Sequence, residues 1–249
     1  MSLKLELKQN NIILKKLTLP SRYYLFKERE NYVKLLNVGE GLFPNDKIST
    51  ELDMTDSNLI IASESALKIY PSKGGFAANR YVINLKRSNL EFLNDELIMF
   101  KNSRFLQLFT LNFDENSTFF YSDIFSAGRS FEEYDFKEYA VRNRFVYGGT
   151  LEYLEEFGIS GDNLREYLKR HCAEEKLFAK IYIKTKENEE FSKMLLNAGF
   201  KSFEKTQNGA FLMYIVLGDK ISNIKSAVNF VWELYRKMLG KSRFDLGKR

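Results

Sequence analysis

Apolar and polar side chains alternate through most of the first 157 residues, the two-residue period of half-buried strands. The pattern is clean at Leu3, Leu5 and Leu7. It returns at Leu106, Leu108 and Thr110, with Phe105, Phe109, Leu111 and Phe113 on the complementary positions. Further short runs rich in Phe, Tyr, Val and Ile predict strands at Tyr32–Val38, Leu59–Ala62, Tyr81–Leu85, Phe119–Phe125, Phe131–Phe136 and Phe145–Tyr147. Breaks rich in Gly, Asn, Asp or Ser fall at 39–46, 53–58, 71–79, 114–117 and 148–149. No fixed sequence period is visible, so the common solenoid repeats find no support. Regularly interleaved helices are missing too, which argues against a doubly wound α/β sheet.

Beyond residue 157 the period changes. Ser160 precedes apolar positions at Leu164, Tyr167 and Leu168, a capped short helix. Leu177–Lys184 alternates as a strand, and Glu187–Ala198 reads as a helix stopped by Gly199. Phe211–Leu217 suits a buried strand. Ile224, Val228, Val231, Tyr235 and Met238 then trace one helical stripe that closes at Gly240, with Trp232 on its flank. No linker-like segment interrupts the chain. The expectation is a single domain over 1–249, mainly β, with a few helices toward the C-terminus.

Composition narrows the function more than the fold. At 44% hydrophobic and 15% aromatic the chain can bury a large core, which excludes wholesale disorder. One cysteine, Cys172, excludes an internal disulfide, and with a single histidine, His171, it excludes a zinc site of several Cys or His ligands. Phe211–Leu217 is far too short to cross a bilayer, and residues 1–8 alternate as a strand, unlike a signal sequence, so a cytoplasmic protein is expected. The net charge of +5 is concentrated in residues 220–249, which hold eight basic residues against two acids. Such a tail suggests an alternative function, a basic β-rich nucleic-acid-binding module using Lys237, Lys241, Arg243, Lys248 and Arg249. No stacking-aromatic signature accompanies a basic strand, which speaks against it.

Catalytic signatures are equally sparse. Gly240-Lys241-Ser242 imitates the end of a phosphate-binding loop, but the required earlier glycine is Tyr235. Neither G-x-G-x-x-G nor G-x-S-x-G occurs. A Ser-His-Asp arrangement would have to use His171, in a charged segment that reads as a solvated helix end. A carboxylate-dependent enzyme remains open as a class, with no pair of acids singled out.

Four segments in order carry a more specific signal: Asn37–Asp46, Ile60–Tyr70, Leu90–Phe105 and Tyr121–Arg129, followed by Ala227–Met238 near the end. The series resembles the UreD/UreH family of urease accessory proteins. That family has a Gly-rich turn ending in Gly-Asp, a Thr/Ser-Gln segment, an aromatic–proline strand pair, an acid ahead of Gly-Arg, and a closing helix with Trp and Arg. The chain departs from it at Asn45 for the family glycine, at Glu64 for the glutamine, in lacking the prolines around 93–99, and at Tyr134 for an acid.

The resemblance implies many short strands in a helical, β-helix-like layout and a role without catalysis. It implies a scaffold that binds apo-urease and recruits the UreF and UreG accessory proteins for GTP-dependent nickel insertion. No tightly bound cofactor is implied; Ni2+ passes transiently, through an internal polar tunnel. Asp46 and Asp123 match family acids and Glu64 occupies the family glutamine position, which makes these three the candidate nickel-handling residues. Carboxylates bind nickel more labilely than imidazole or thiolate, as a transfer route needs. Each also has an ordinary reading: Asp46 caps a turn, Asp123 is hydrogen-bonded within a strand, and Glu64 faces solvent. Gly128 and Arg129 suit a tight turn and a salt bridge.

Overall fold

The computed structural model describes the whole chain except residues 1, 20, 28, 38, 130, 173–175, 201–202, 207 and 248–249. Two sheets form. The first has the order β13 (Thr150–Ile159), β12 (Glu138–Tyr147), β10 (Arg104–Phe113), β8 (Ala77–Lys86), β5 (Lys47–Thr55), β1 (Ser2–Lys8) and β2 (Asn11–Thr18). The second runs β15 (Phe203–Lys205), β16 (Leu212–Gly218), β14 (Leu177–Lys184), β11 (Thr118–Ser126), β9 (Asn89–Met99), β6 (Asn58–Ser63), β4 (Tyr32–Asn37) and β3 (Ser21–Phe26). The short β7 (Leu67–Ile69) also pairs with β9.

The middle of the chain winds as a solenoid. β5, β8, β10 and β12 are consecutive parallel neighbours in one sheet, and β6, β9 and β11 in the other, so each turn of chain adds one strand to each sheet. Stacked serines pin the turns between the sheets. The Ser57 amide donates to Ser88 Oγ at 3.2 Å, and the Ser88 amide donates to Ser117 Oγ at 3.2 Å. These contacts span 31 and 29 residues, so the repeat exists but its length varies. Asp56 and Arg87 take matching left-handed φ values of 49° and 48° beside the first two serines. A second ladder runs Asp53–Asn84–Asn112, with side-chain hydrogen bonds of 2.6 and 2.7 Å.

Three apolar clusters hold these layers. Leu5, Ile83, Phe92, Phe109, Phe119 and Phe145 represent one between the sheets. Another, around Phe105, Phe125, Tyr139 and Val141, is covered by Leu164 and Leu168 of α1 (Gly161–His171). The remaining one packs the outer side of the second sheet against α2 (Asn188–Asn197) and α3 (Ile221–Met238). The α3 stripe is as the sequence predicts, and Trp232 on its flank is buried with it, at 3% exposure. Its indole Nε1 donates to Glu91 Oε2 at 2.7 Å. Arg236 and Lys241 reach the same buried carboxylate at 2.6 and 2.7 Å, riveting α3 to β9.

One predicted strand does not form. Residues 131–136 run as turns and irregular chain, with Phe131 fully exposed and Tyr134 at φ 58°. A left-handed residue breaks the pleat, and Tyr134 and Phe136 pack instead beneath α1. The predicted strand at 32–38 forms over Tyr32–Asn37, while Val38 lies outside the described residues.

Candidate functional site

Inward side chains along the central strands follow one rule: apolar, then polar, then apolar. Thr50 lies between Ile48 and Leu52 on β5, Asn79 between Ala77 and Tyr81 on β8, and Gln107 between Phe105 and Phe109 on β10. Asn143 lies between Val141 and Phe145 on β12, and Asp123 between Tyr121 and Phe125 on β11. Parallel register puts Asn79 opposite Gln107, while Thr50 falls opposite Tyr81 and Asn143 opposite Phe109, so the polar positions are staggered by one inward step at the two outer strands. A polar layer therefore separates the two apolar clusters between the sheets. It encloses a cavity of about 80 Å³ lined by Thr50, Asn79, Gln107, Asp123, Asn143 and Lys180, among others. That is room for several waters at about 10–15 Å³ each.

Asp123 is the hub. Its Oδ1 accepts from Asn94 Nδ2 at 2.8 Å, and its Oδ2 accepts from Gln107 Nε2 at 2.8 Å and from the Tyr121 hydroxyl at 2.7 Å. Burial pushes its carboxyl above the usual carboxylate range, while the Tyr121, Gln107 and Asn94 donors and the nearby Lys180 charge pull the other way. The side chain is remote from bulk water yet keeps some accessible surface, because that surface faces the cavity. On the cavity's far side Glu155 accepts from Asn143 at 2.9 Å and Tyr182 at 2.8 Å, and pairs with Lys180. Burial raises the phenols of Tyr121, Tyr139 and Tyr182 well above their ordinary value, so all remain neutral donors.

The layer is not fully satisfied from within. Asn79 Oδ1 and Asn143 Oδ1 have no hydrogen-bond partner, although these residues are 4% and 2% exposed. Orphaned carbonyl oxygens beside a polar cavity call for water or a cation as partner. The β9–β11 ladder slips here: Asn94 and Asp95 together oppose Asp123. This bulge turns Asn94, Asp95 and Ile124 toward both the cavity and a groove outside the second sheet, walled by α3. Lys225 of α3 stands over that groove, 3.4 Å from Asp95 Oδ1 and 2.6 Å from Glu96 Oε2.

Of the three acids singled out from sequence, only Asp123 lines the cavity. Asp46 Oδ2 accepts from the Phe43 amide at 2.9 Å and closes a turn whose Asn45 has φ 71°. Glu64 pairs with Lys34 at 2.9 Å and is 41% exposed. Among the described residues no three His, Cys, Asp or Glu side chains gather closely enough to hold a metal ion. Gly128 has φ 130° and Arg129 pairs with Glu132 at 2.7 Å, a turn and a salt bridge as anticipated. His171 lies exposed against the Tyr167 ring, with a centroid separation of 4.6 Å.

In the basic tail, Lys241 is bound to Glu91 and Arg243 pairs with Glu233 at 2.8 Å, while Lys248 and Arg249 lie outside the described residues. No described helix is long and apolar enough to cross a membrane. Thr50, Asn79, Asn94, Gln107 and Asn143 escaped sequence reading. Their signal was a polar residue interrupting an apolar alternation, repeated in strand after strand.

A family model described as UreD urease accessory protein matches residues 17–245. The chain is 48% identical over 250 residues to a urease accessory protein UreD of Aliarcobacter butzleri (strain RM4018), covering all of both chains. It is 35% identical over 99 residues to one from Bacillus sp. (strain TB-90), covering 39% of this chain and 36% of that one. Against one from Staphylococcus epidermidis (strain ATCC 12228 / FDA PCI 1200) it is 32% identical over 104 residues, 41% and 37% of the two chains.

Proposed function

Because the chain belongs to the UreD family of urease accessory proteins, we propose that it acts as a non-catalytic scaffold in urease maturation. In this reading it binds apo-urease, recruits UreF and UreG for GTP-dependent nickel insertion, and passes nickel through the polar layer between its sheets. The observation that carries the reading is the cavity around Asp123, where a carboxylate and two unpartnered amide oxygens share a polar space between two apolar clusters.

The donor set suits cargo in transit. Oxygen ligands exchange quickly compared with imidazole or thiolate, so nickel entering with its water shell can leave again. Asp123 already accepts three hydrogen bonds, which leaves it able to contact a hydrated ion without forming a closed site. Asn79 and Asn143 supply uncharged oxygens on the opposite sheet. Asp46 and Glu64 lie off this layer, so in this proposal the transfer role rests on Asp123.

Purified chain presented with apo-urease, UreF and UreG should co-purify with them and show no turnover of urea or GTP by itself. Failure to retain any of the three, or GTP hydrolysis by the chain alone, would contradict the proposal.

A further inference from the structure

The hairpin β1–β2 ends the first sheet with an unfinished strand. Register puts Ile12, Leu14 and Leu17 of β2 opposite Leu7, Leu5 and Leu3 of β1, and so on the core-facing side. The three β1 leucines are at most 2% exposed, whereas Leu14 and Leu17 are 43% and 41% exposed. The core thus has one apolar column too many for the strands that cover it. Among the described residues β2 pairs only with β1, so the other edge of an eight-residue strand is open. Long apolar edges of this kind template the addition of another strand.

Charge selects what can add. The opposite face of the hairpin carries Lys4, Lys8 and Lys16 with the bulged Lys15, against Glu6 as its acid. Lys8 and Lys15 both lean on Glu6, at 2.5 and 2.6 Å, and Lys4 is held by Glu51 and Asp53. Lys16 is exposed with no ion pair among the described residues. A second copy of this strand would bring lysines against lysines, which disfavours self-pairing.

We propose that the β2 edge is a docking site for an extended segment of a partner protein in which apolar and acidic residues alternate. Its apolar side chains extend the column of Ile12, Leu14 and Leu17, and its acids face Lys15 and Lys16. Backbone hydrogen bonds supply affinity and the alternation supplies specificity. The inference stands independently of the nickel reading.

The test uses the full chain and a blocked octapeptide of alternating valine and glutamate, titrated by fluorescence anisotropy. Lysine-for-glutamate and alternately N-methylated versions serve as probes of charge and of backbone pairing. The glutamate peptide should bind, and both altered peptides should bind at least about tenfold more weakly. Lys16→Glu and Leu17→Asp should each weaken the glutamate peptide similarly while keeping the wild-type melting temperature. Lys16→Glu is the safeguard, since an exposed unpaired lysine can change without unfolding the hairpin. No binding at millimolar peptide, or equal binding of the N-methylated peptide or by Lys16→Glu, would overturn the proposal. So would wild-type dimerisation abolished by Leu17→Asp, which assigns the edge to a second copy.

Discussion

Burial disfavours the charged form of Asp123. Its pKa is raised in the folded chain by burial, so folding favours the protonated acid. That contribution is complete below the ordinary carboxylate value, and it is lost as pH rises through the raised one. Asp123→Asn has no ionisation to lose. The melting temperature of the variant relative to wild type should therefore climb as pH rises from about 4 toward 7, measured by calorimetry. A pH-independent difference would mean that the carboxyl is not desolvated. Glu91 is a buried carboxylate bound by Arg236, Lys241 and Trp232. Glu91→Gln should cost about 1.5–3 kcal/mol in chemical denaturation, because it weakens charged hydrogen bonds while Arg236 and Lys241 keep Glu30 as a carboxylate partner. Trp232→Ala should cost about 3–5 kcal/mol through lost packing alone. Asp123 was legible as an acid in a strand, but its donors were not. Two of them come from other strands, Asn94 from β9 and Gln107 from β10, beside Tyr121 of its own strand, and one sequence does not reveal which strands share a layer.

At the scale of elements, alternation found most strands, and helical spacing found all three helices among the described residues. The failure at 131–136 is instructive. Phe131 and Tyr134 are three residues apart, which breaks the two-residue period, and the chain turns at Tyr134 to pass under α1. Gly161 marks that contact, since a Cβ there would lie 1.6 Å from the Tyr134 carbonyl oxygen. Gly161→Ala should therefore destabilise the fold by about 2–3 kcal/mol, seen in denaturation, or detach α1. The solenoid turns were legible in principle, since Ser57-Asn58-Leu59 returns as Ser88-Asn89-Leu90 and in altered form as Ser117-Thr118-Phe119. Unequal intervals hid them from a search for a fixed period. Ser88→Ala leaves the buried Ser57 amide without its acceptor and should cost about 1–3 kcal/mol.

For the molecule as a whole, the β-rich class, the helices and the family were readable from the sequence, whereas strands such as β2, β3, β5 and β13 and the inner architecture were not. A core cut by a polar layer costs stability, because every buried amide and carboxylate must be desolvated and paired. Two unpaired amide oxygens remain there, and they set the layer apart from an ordinary hydrogen-bonded core. A layer that serves passage is tested by Asp123→Asn, which keeps the size of the side chain while removing its carboxyl group. The direct measurement is the nickel content of urease purified after co-expression with wild-type or Asp123→Asn chain, with assembly on apo-urease quantified in the same preparations. The account predicts normal assembly and a marked fall in nickel per active site. Full nickel loading by a well-assembled variant would contradict it.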